Sequence, residues 1–131
     1  MTSPYESLLL LGLYDWVALD HVHRETANHM VGSPIPQIQQ ASLELIREVV
    51  EQGLFEIGDV TAESGFVRWL EPIDHAIYRI ERYYINAFDD TAVWPWCCWL
   101  NLTPYGQQIA HELPDPPSSP TSTINPTISD G

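Results

Sequence analysis

Proline placement constrains the fold of this chain more than any other sequence feature. Each of four helical stretches begins at or next to a proline: Pro4, Pro36, Pro72 and Pro104. Proline suits the first turn of a helix, where its missing N–H has no partner to lose. Ser3 and Thr103 precede two of these prolines and are residue types that cap helices well. The sequence therefore predicts a domain built mainly from capped helices.

Apolar periodicity and turn residues place five helices and three strands between these breaks. The predicted helices cover residues 3–14, 20–30, 36–52, 72–88 and 103–113. The predicted strands cover residues 55–57, 66–69 and 100–102, and a turn at residues 61–65 joins the first two. From Pro114 onward proline, serine and threonine dominate. We therefore expect one domain over residues 1–113 and a disordered tail over residues 114–131.

Three helices followed by strand, turn and strand is the order of elements in winged-helix domains. The segment 99–106, WLNLTPYG, resembles the Leu-Thr-x-x-Gly step that leads from the wing into the next helix of winged-helix regulators. The chain thus resembles winged-helix domains, including small winged-helix-like proteins of actinobacteria. The resemblance implies an α+β, mostly helical fold in which Thr103 caps a helix and Gly106 lets it pack closely. A further helix over residues 72–88 would be inserted in the wing.

The charge of the chain argues against the DNA binding that this shape usually serves. Eighteen acidic residues face five arginines and no lysine, for a formal net charge of -13. Binding to phosphates requires clustered cations. The helix over residues 36–52 occupies the recognition-helix position but offers three glutamates and only Arg47 as a cation. We therefore expect no nucleic acid partner.

A basic protein fits this charge better. The solvent side of the helix over residues 36–52 carries Glu44, Glu48 and Glu51, which could meet arginine and lysine side chains. Trp94 or Trp96, which flank Pro95, could supply an apolar anchor if exposed. The sequence thus favours a non-catalytic binding module, such as a small inhibitor of the immunity or antitoxin type that blocks a basic toxin.

Two other functions remain open at this stage. A DNA-binding winged-helix regulator would need an oligomer that gathers Arg24, Arg47 and Arg68 on one surface. An assembly subunit would use the tryptophan-rich segment as a permanent interface. The strong negative charge opposes self-association, so we expect a monomer or a weak dimer.

Other chemistry finds little support. His21, Glu25 and His29 recur at helical spacing and could face one metal ion, but the spacing matches no known zinc signature. Cys97 and Cys98 are adjacent and cannot crosslink distant segments. The sequence has no glycine-rich phosphate loop and no nucleophile elbow, so we expect no enzyme activity and no cofactor. The apolar run at residues 8–13 is too short to span a membrane, and no targeting segment is visible, which favours a cytoplasmic location.

Overall fold

The computed structural model describes residues 3–113, and the tail expected over residues 114–131 lies outside this range. The five α-helices are α1 (Pro4–Gly12), α2 (Leu19–His29), α3 (Ile35–Glu51), α4 (Ile73–Tyr84) and α5 (Pro104–His111). The four strands are β1 (Val17–Ala18), β2 (Phe55–Thr61), β3 (Gly65–Arg68) and β4 (Trp99–Leu102), and a 3-10 helix covers Trp94–Trp96. The prediction of a mostly helical α+β domain is confirmed.

Capping explains where the first helix begins. The Ser3 hydroxyl accepts a hydrogen bond from the Glu6 amide at 3.2 Å, and the Glu6 carboxylate accepts one from the Ser3 amide at 3.3 Å. This reciprocal pair satisfies two amides that the helix itself cannot bond. Helix α3 is terminated by Gly53, which follows its last turn. The φ of Gly53 is +75°, a value that glycine adopts readily and other residues rarely do. Both of these boundaries agree with the prediction.

The sheet is antiparallel, with strand order β1-β4-β2-β3. Ile57 pairs with Leu100 across β2 and β4, and Val17 pairs with Leu100 on the other side. The sequence analysis missed β1, because two residues carry no periodicity and this strand exists only through its pairing with β4. It also ended β2 too early, since the strand continues to Thr61.

The core lies among the inner face of the sheet and the four helices α1, α2, α3 and α4. It includes Leu8, Val22, Ile46, Phe55 and Leu100, which are almost completely buried. Buried Gln39 on α3 donates a hydrogen bond to the Tyr84 carbonyl at 2.8 Å and so joins α3 to the end of α4. The core therefore fixes the position of α3, and the outer side of α3 is left to solvent.

The connection from β4 into α5 depends on two residues, Thr103 and Gly106. The Thr103 hydroxyl accepts from the Gly106 amide at 2.9 Å and donates toward the Gly53 carbonyl at 2.6 Å. A Cβ at Gly106 would lie 2.2 Å from the Leu54 carbonyl oxygen, so only glycine fits there. The expected cap and the expected close packing are both present.

Trp16 lies at the edge of the core, and 37% of the residue is exposed. Its ring lies 3.3 Å from the point where a Cβ on Gly65 would stand. Trp16 therefore packs beneath the β2–β3 turn with one side open to solvent.

Candidate protein-binding surface

The exposed side of α3 is polar along its length and acidic from Glu44 onward. Its apolar residues Ile38, Ile46 and Val49 recur at helical spacing and face the core. The opposite side carries polar residues that are all exposed: Gln37, Gln40, Glu44, Glu48 and Glu51. The structure thus places the three predicted glutamates on one accessible surface.

The three glutamates differ in what surrounds them. Arg47 lies 3.6 Å from Glu51 and 2.6 Å from Asp74 on α4, so Glu51 already shares a cation. Among the described residues, Glu44 accepts a side-chain hydrogen bond only from Gln40, and Glu48 only from Gln52, each at 3.3 Å. Within residues 3–113, neither Glu44 nor Glu48 forms an ion pair. No arginine of the described residues therefore neutralises these two carboxylates.

A groove between α1, α2 and α3 opens beside these two carboxylates. Its apolar walls come from Pro4, Tyr5, Met30, Ala41 and Leu45. Glu44 and Glu48 line it from α3. The groove is open to solvent and has a volume of about 260 Å³. This volume is below the ~300–1,000 Å³ of typical small-molecule pockets. A cavity of this size suits one side chain of a partner better than a free metabolite.

Tyr5 connects α1 to the acidic face. Its hydroxyl donates to the Gln52 side chain at 3.0 Å. Partial burial, with the negative charge of Glu48 as the next cause, raises the pKa of Tyr5. The phenol therefore stays neutral at physiological pH and holds its ring in the groove wall.

Trp94 does not contribute to this surface. Only 5% of it is exposed, and its indole packs against Phe88 with ring centroids 4.9 Å apart. His23 and Tyr84 complete the cluster at 5.3 and 5.0 Å. The idea of Trp94 as a surface anchor needs correction, because its position in the 3-10 helix directs the ring into the core between α2 and α4.

Trp96 has the opposite environment. It is 50% exposed and stacks on Trp99 of β4, with ring centroids 5.9 Å apart. The glutamates stand instead on α3, beside α1 and α2. Trp96 thus remains a candidate contact residue, but the side chains that it packs on belong to the sheet and not to the acidic face.

Most of the positive charge is neutralised internally. Arg24 pairs with Asp20 at 2.5 Å, and Arg68 lies 3.8 Å from Glu56. Arg79 pairs with Glu71 at 3.2 Å and Asp59 at 3.6 Å, and its guanidinium stacks 3.9 Å above the Trp69 ring. Among the arginines, Arg82 alone has no carboxylate partner within the described part of the chain. The remaining four offer little charge to a phosphate backbone.

The histidines of α2 take structural roles. The ring of His21 accepts a hydrogen bond from the Ala18 amide at 3.3 Å and so caps the helix. The His29 ring approaches the Glu25 carbonyl oxygen at 3.2 Å. Over residues 3–113, no three histidine, cysteine or carboxylate side chains come close enough together to hold a metal ion.

Cys97 and Cys98 form a local pair. A hydrogen bond with Cys97, followed by complete burial, raises the pKa of Cys98. The same hydrogen bond lowers the pKa of Cys97. Cys98 is therefore an inert core thiol, and Cys97 is the one that reagents would reach first.

Sequence reasoning found the glutamates but missed the groove. Ala41, Glu44, Leu45 and Glu48 recur at intervals of three and four residues, which indicates one helix face. That Tyr5 and Met30 close the same groove depends on how three helices pack, and no local pattern reports this.

Models of known protein families, curated proteins and solved structures were compared with the chain, and none of them matches it. Within residues 3–113, no helix is both long enough and apolar enough to cross a membrane.

Proposed function

We propose that this protein is a non-catalytic binding module that holds a basic protein through the exposed face of α3. The observation that carries the proposal is the pair Glu44 and Glu48. They are exposed, stand one helical turn apart, lack an ion pair within residues 3–113 and border an apolar groove. A partner whose surface is cationic and partly apolar would complement these unpaired negative charges and the apolar groove beside them.

The best-fitting role is that of a small cytoplasmic inhibitor of the immunity or antitoxin type. A net charge of -13 attracts a basic toxin over long range and raises the rate of association. The same charge keeps free molecules apart, so the protein is a monomer or weak dimer until it meets its partner. Trp96 adds an exposed apolar contact for a partner large enough to reach the sheet.

The proposal also treats the domain as a variant of the winged helix. Its support is the order of elements: α1, α2 and α3 precede the β2–β3 hairpin, and α4 stands between β3 and β4. In this arrangement α3 takes the recognition-helix position. Carboxylates on its exposed face, and the pairing of Arg24, Arg47 and Arg68 with acids, disfavour the alternative of a DNA-binding regulator.

Capture from the native host at low salt tests the proposal. The tagged wild type is compared with Glu44→Gln/Glu48→Gln and with a control, Glu63→Gln/Glu112→Gln, that removes the same charge at exposed sites elsewhere. We expect a stoichiometric basic protein that binds wild type and control, is released as salt rises, and is lost from the α3 variant. Nucleic acid in the eluate without a protein partner, or equal capture by all three proteins, would contradict the proposal.

A further inference from the structure

The groove between α1, α2 and α3 combines an apolar interior with a charged border. Tyr5 on α1, Met30 directly after α2 and Leu45 on α3 line it, so its shape is set by the packing of these three helices. Leu45 is buried and Tyr5 and Met30 are half-buried. The interior therefore favours an aliphatic chain over a polar one.

The two carboxylates at the border of the groove, Glu44 and Glu48, favour a positively charged ligand. Glu44 and Glu48 are four residues apart on α3, which places their Cβ atoms about 6 Å from each other. Their present hydrogen bonds to Gln40 and Gln52 are 3.3 Å long, at the weak end of the usual range. A charged donor would replace these contacts with shorter and stronger ones.

The Tyr5 ring in the groove wall favours an arginine side chain over a lysine side chain. The Tyr5 hydroxyl is held by Gln52 at 3.0 Å, which fixes the ring at the groove edge near Glu48. A planar guanidinium can stack on such a ring, and its five N–H donors can reach two carboxylates at once. A lysine ammonium is compact and cannot span both carboxylates in the same way.

From this geometry we infer that the groove is a recognition site for one arginine side chain of the basic partner. The aliphatic stem lies along Met30 and Leu45, and the guanidinium stacks on the Tyr5 ring and bridges Glu44 and Glu48. The inference rests on the proposed function, because it names the chemical group that the acidic face of α3 receives.

The experiment uses N-acetyl-arginine amide as the probe and its uncharged isostere N-acetyl-citrulline amide as the control ligand. The chain has two methionines, so ¹³C-methyl-methionine labelling gives a simple spectrum in which Met30 is assigned with Met30→Leu. We expect a saturable shift of the Met30 methyl with the arginine probe and a Kd on the order of millimolar, as befits a fragment of this size. Citrulline should bind at least about tenfold more weakly, because its ureido group is uncharged and cannot form an ion pair with the carboxylates.

Two variants test separately the contribution of the carboxylates at the border and that of the apolar interior, and a third serves as the charge control. Glu44→Gln/Glu48→Gln should weaken the arginine probe at least about tenfold, whereas Glu63→Gln/Glu112→Gln should leave it unchanged. Ala41→Leu narrows the groove with both carboxylates in place and should also abolish the Met30 shift. No saturable shift, equal shifts with citrulline, or full binding by Ala41→Leu would overturn the inference.

Failure of the arginine site and failure of the proposed function give different experimental results. If the probe fails while a basic protein still binds and depends on Glu44 and Glu48, the partner uses the acidic face without the groove. If the probe binds as expected while no basic protein is captured, the groove recognises arginine and the proposed role is wrong.

Discussion

At the scale of single residues, the burial of His23 makes the stability of the fold depend on pH. Its Nδ1 lies 2.5 Å from the Tyr84 hydroxyl, and the Trp94 and Phe88 rings pack on it at 5.3 and 5.6 Å. Burial lowers the pKa of His23, although the nearby Asp20 carboxylate opposes the change. Burial also raises the pKa of Tyr84, so its hydroxyl remains protonated and can donate to the ring.

The sign of the pH effect follows from the lowered pKa. As pH falls below about 6.5, the unfolded chain binds a proton at His23 before the folded protein does. The stability contributed by neutral His23 is therefore complete above this pH and is lost as pH falls toward the folded pKa. We expect the melting temperature of the wild type to fall more between about pH 7 and pH 5 than that of His23→Gln, measured by circular dichroism. Parallel curves for the two proteins would show that His23 does not carry the effect.

Trp94 and Trp96 show how two neighbouring residues of one type can have opposite roles. Trp94→Ala opens a cavity beside Phe88 and Tyr84 and should cost about 3–5 kcal/mol in the free energy of unfolding. Trp96→Ala removes only a stacked, half-exposed ring and should cost about 1 kcal/mol or less. Urea denaturation of both variants measures the difference, and similar losses would contradict the burial seen here. The sequence alone could not separate the two, since both flank Pro95 in a turn without periodicity.

At the scale of elements, Thr103 ties the start of α5 to the end of α3. Its hydroxyl bonds the Gly106 amide and the Gly53 carbonyl, two segments fifty residues apart in sequence. Thr103→Val keeps the shape but removes both bonds, so we expect a loss of about 1–3 kcal/mol in the free energy of unfolding. Thr103→Ser, which retains the hydroxyl, should stay within about 1 kcal/mol of the wild type. A loss for Thr103→Ser with none for Thr103→Val would mean that the methyl group, not the cap, stabilises this junction.

The elements that could be predicted are those with local signals. Ser3 and Thr103 cap their helices, and Gly53 ends α3, through contacts within a few residues, so residue type was enough to find them. The strand β1 could not be predicted, because Val17 and Ala18 are extended only by pairing with β4. The groove is equally non-local, since Tyr5 and Met30 meet α3 only after the helices pack.

At the scale of the whole molecule, the distribution of charge matters more than its total. Arg24, Arg47, Arg68 and Arg79 are paired with carboxylates, so the domain presents little free positive charge. The sequence predicted the acidic character and the exposed glutamates correctly. It could not tell that Arg47 pairs with Asp74, because Asp74 approaches from α4, a helix distant in sequence. Nor could it tell that, within residues 3–113, Glu44 and Glu48 form no ion pair.

The most direct test of the account is the association rate of the captured partner at several salt concentrations. The proposed steering of the partner by the charge of α3 predicts that the rate for wild type falls at least about tenfold from low to high salt. The Glu44→Gln/Glu48→Gln variant should start from a lower rate and show a shallower dependence, and Glu63→Gln/Glu112→Gln should stay close to wild type. A rate that is independent of salt, or that the two double variants change equally, would contradict the claim that the acidic face of α3 is the binding surface.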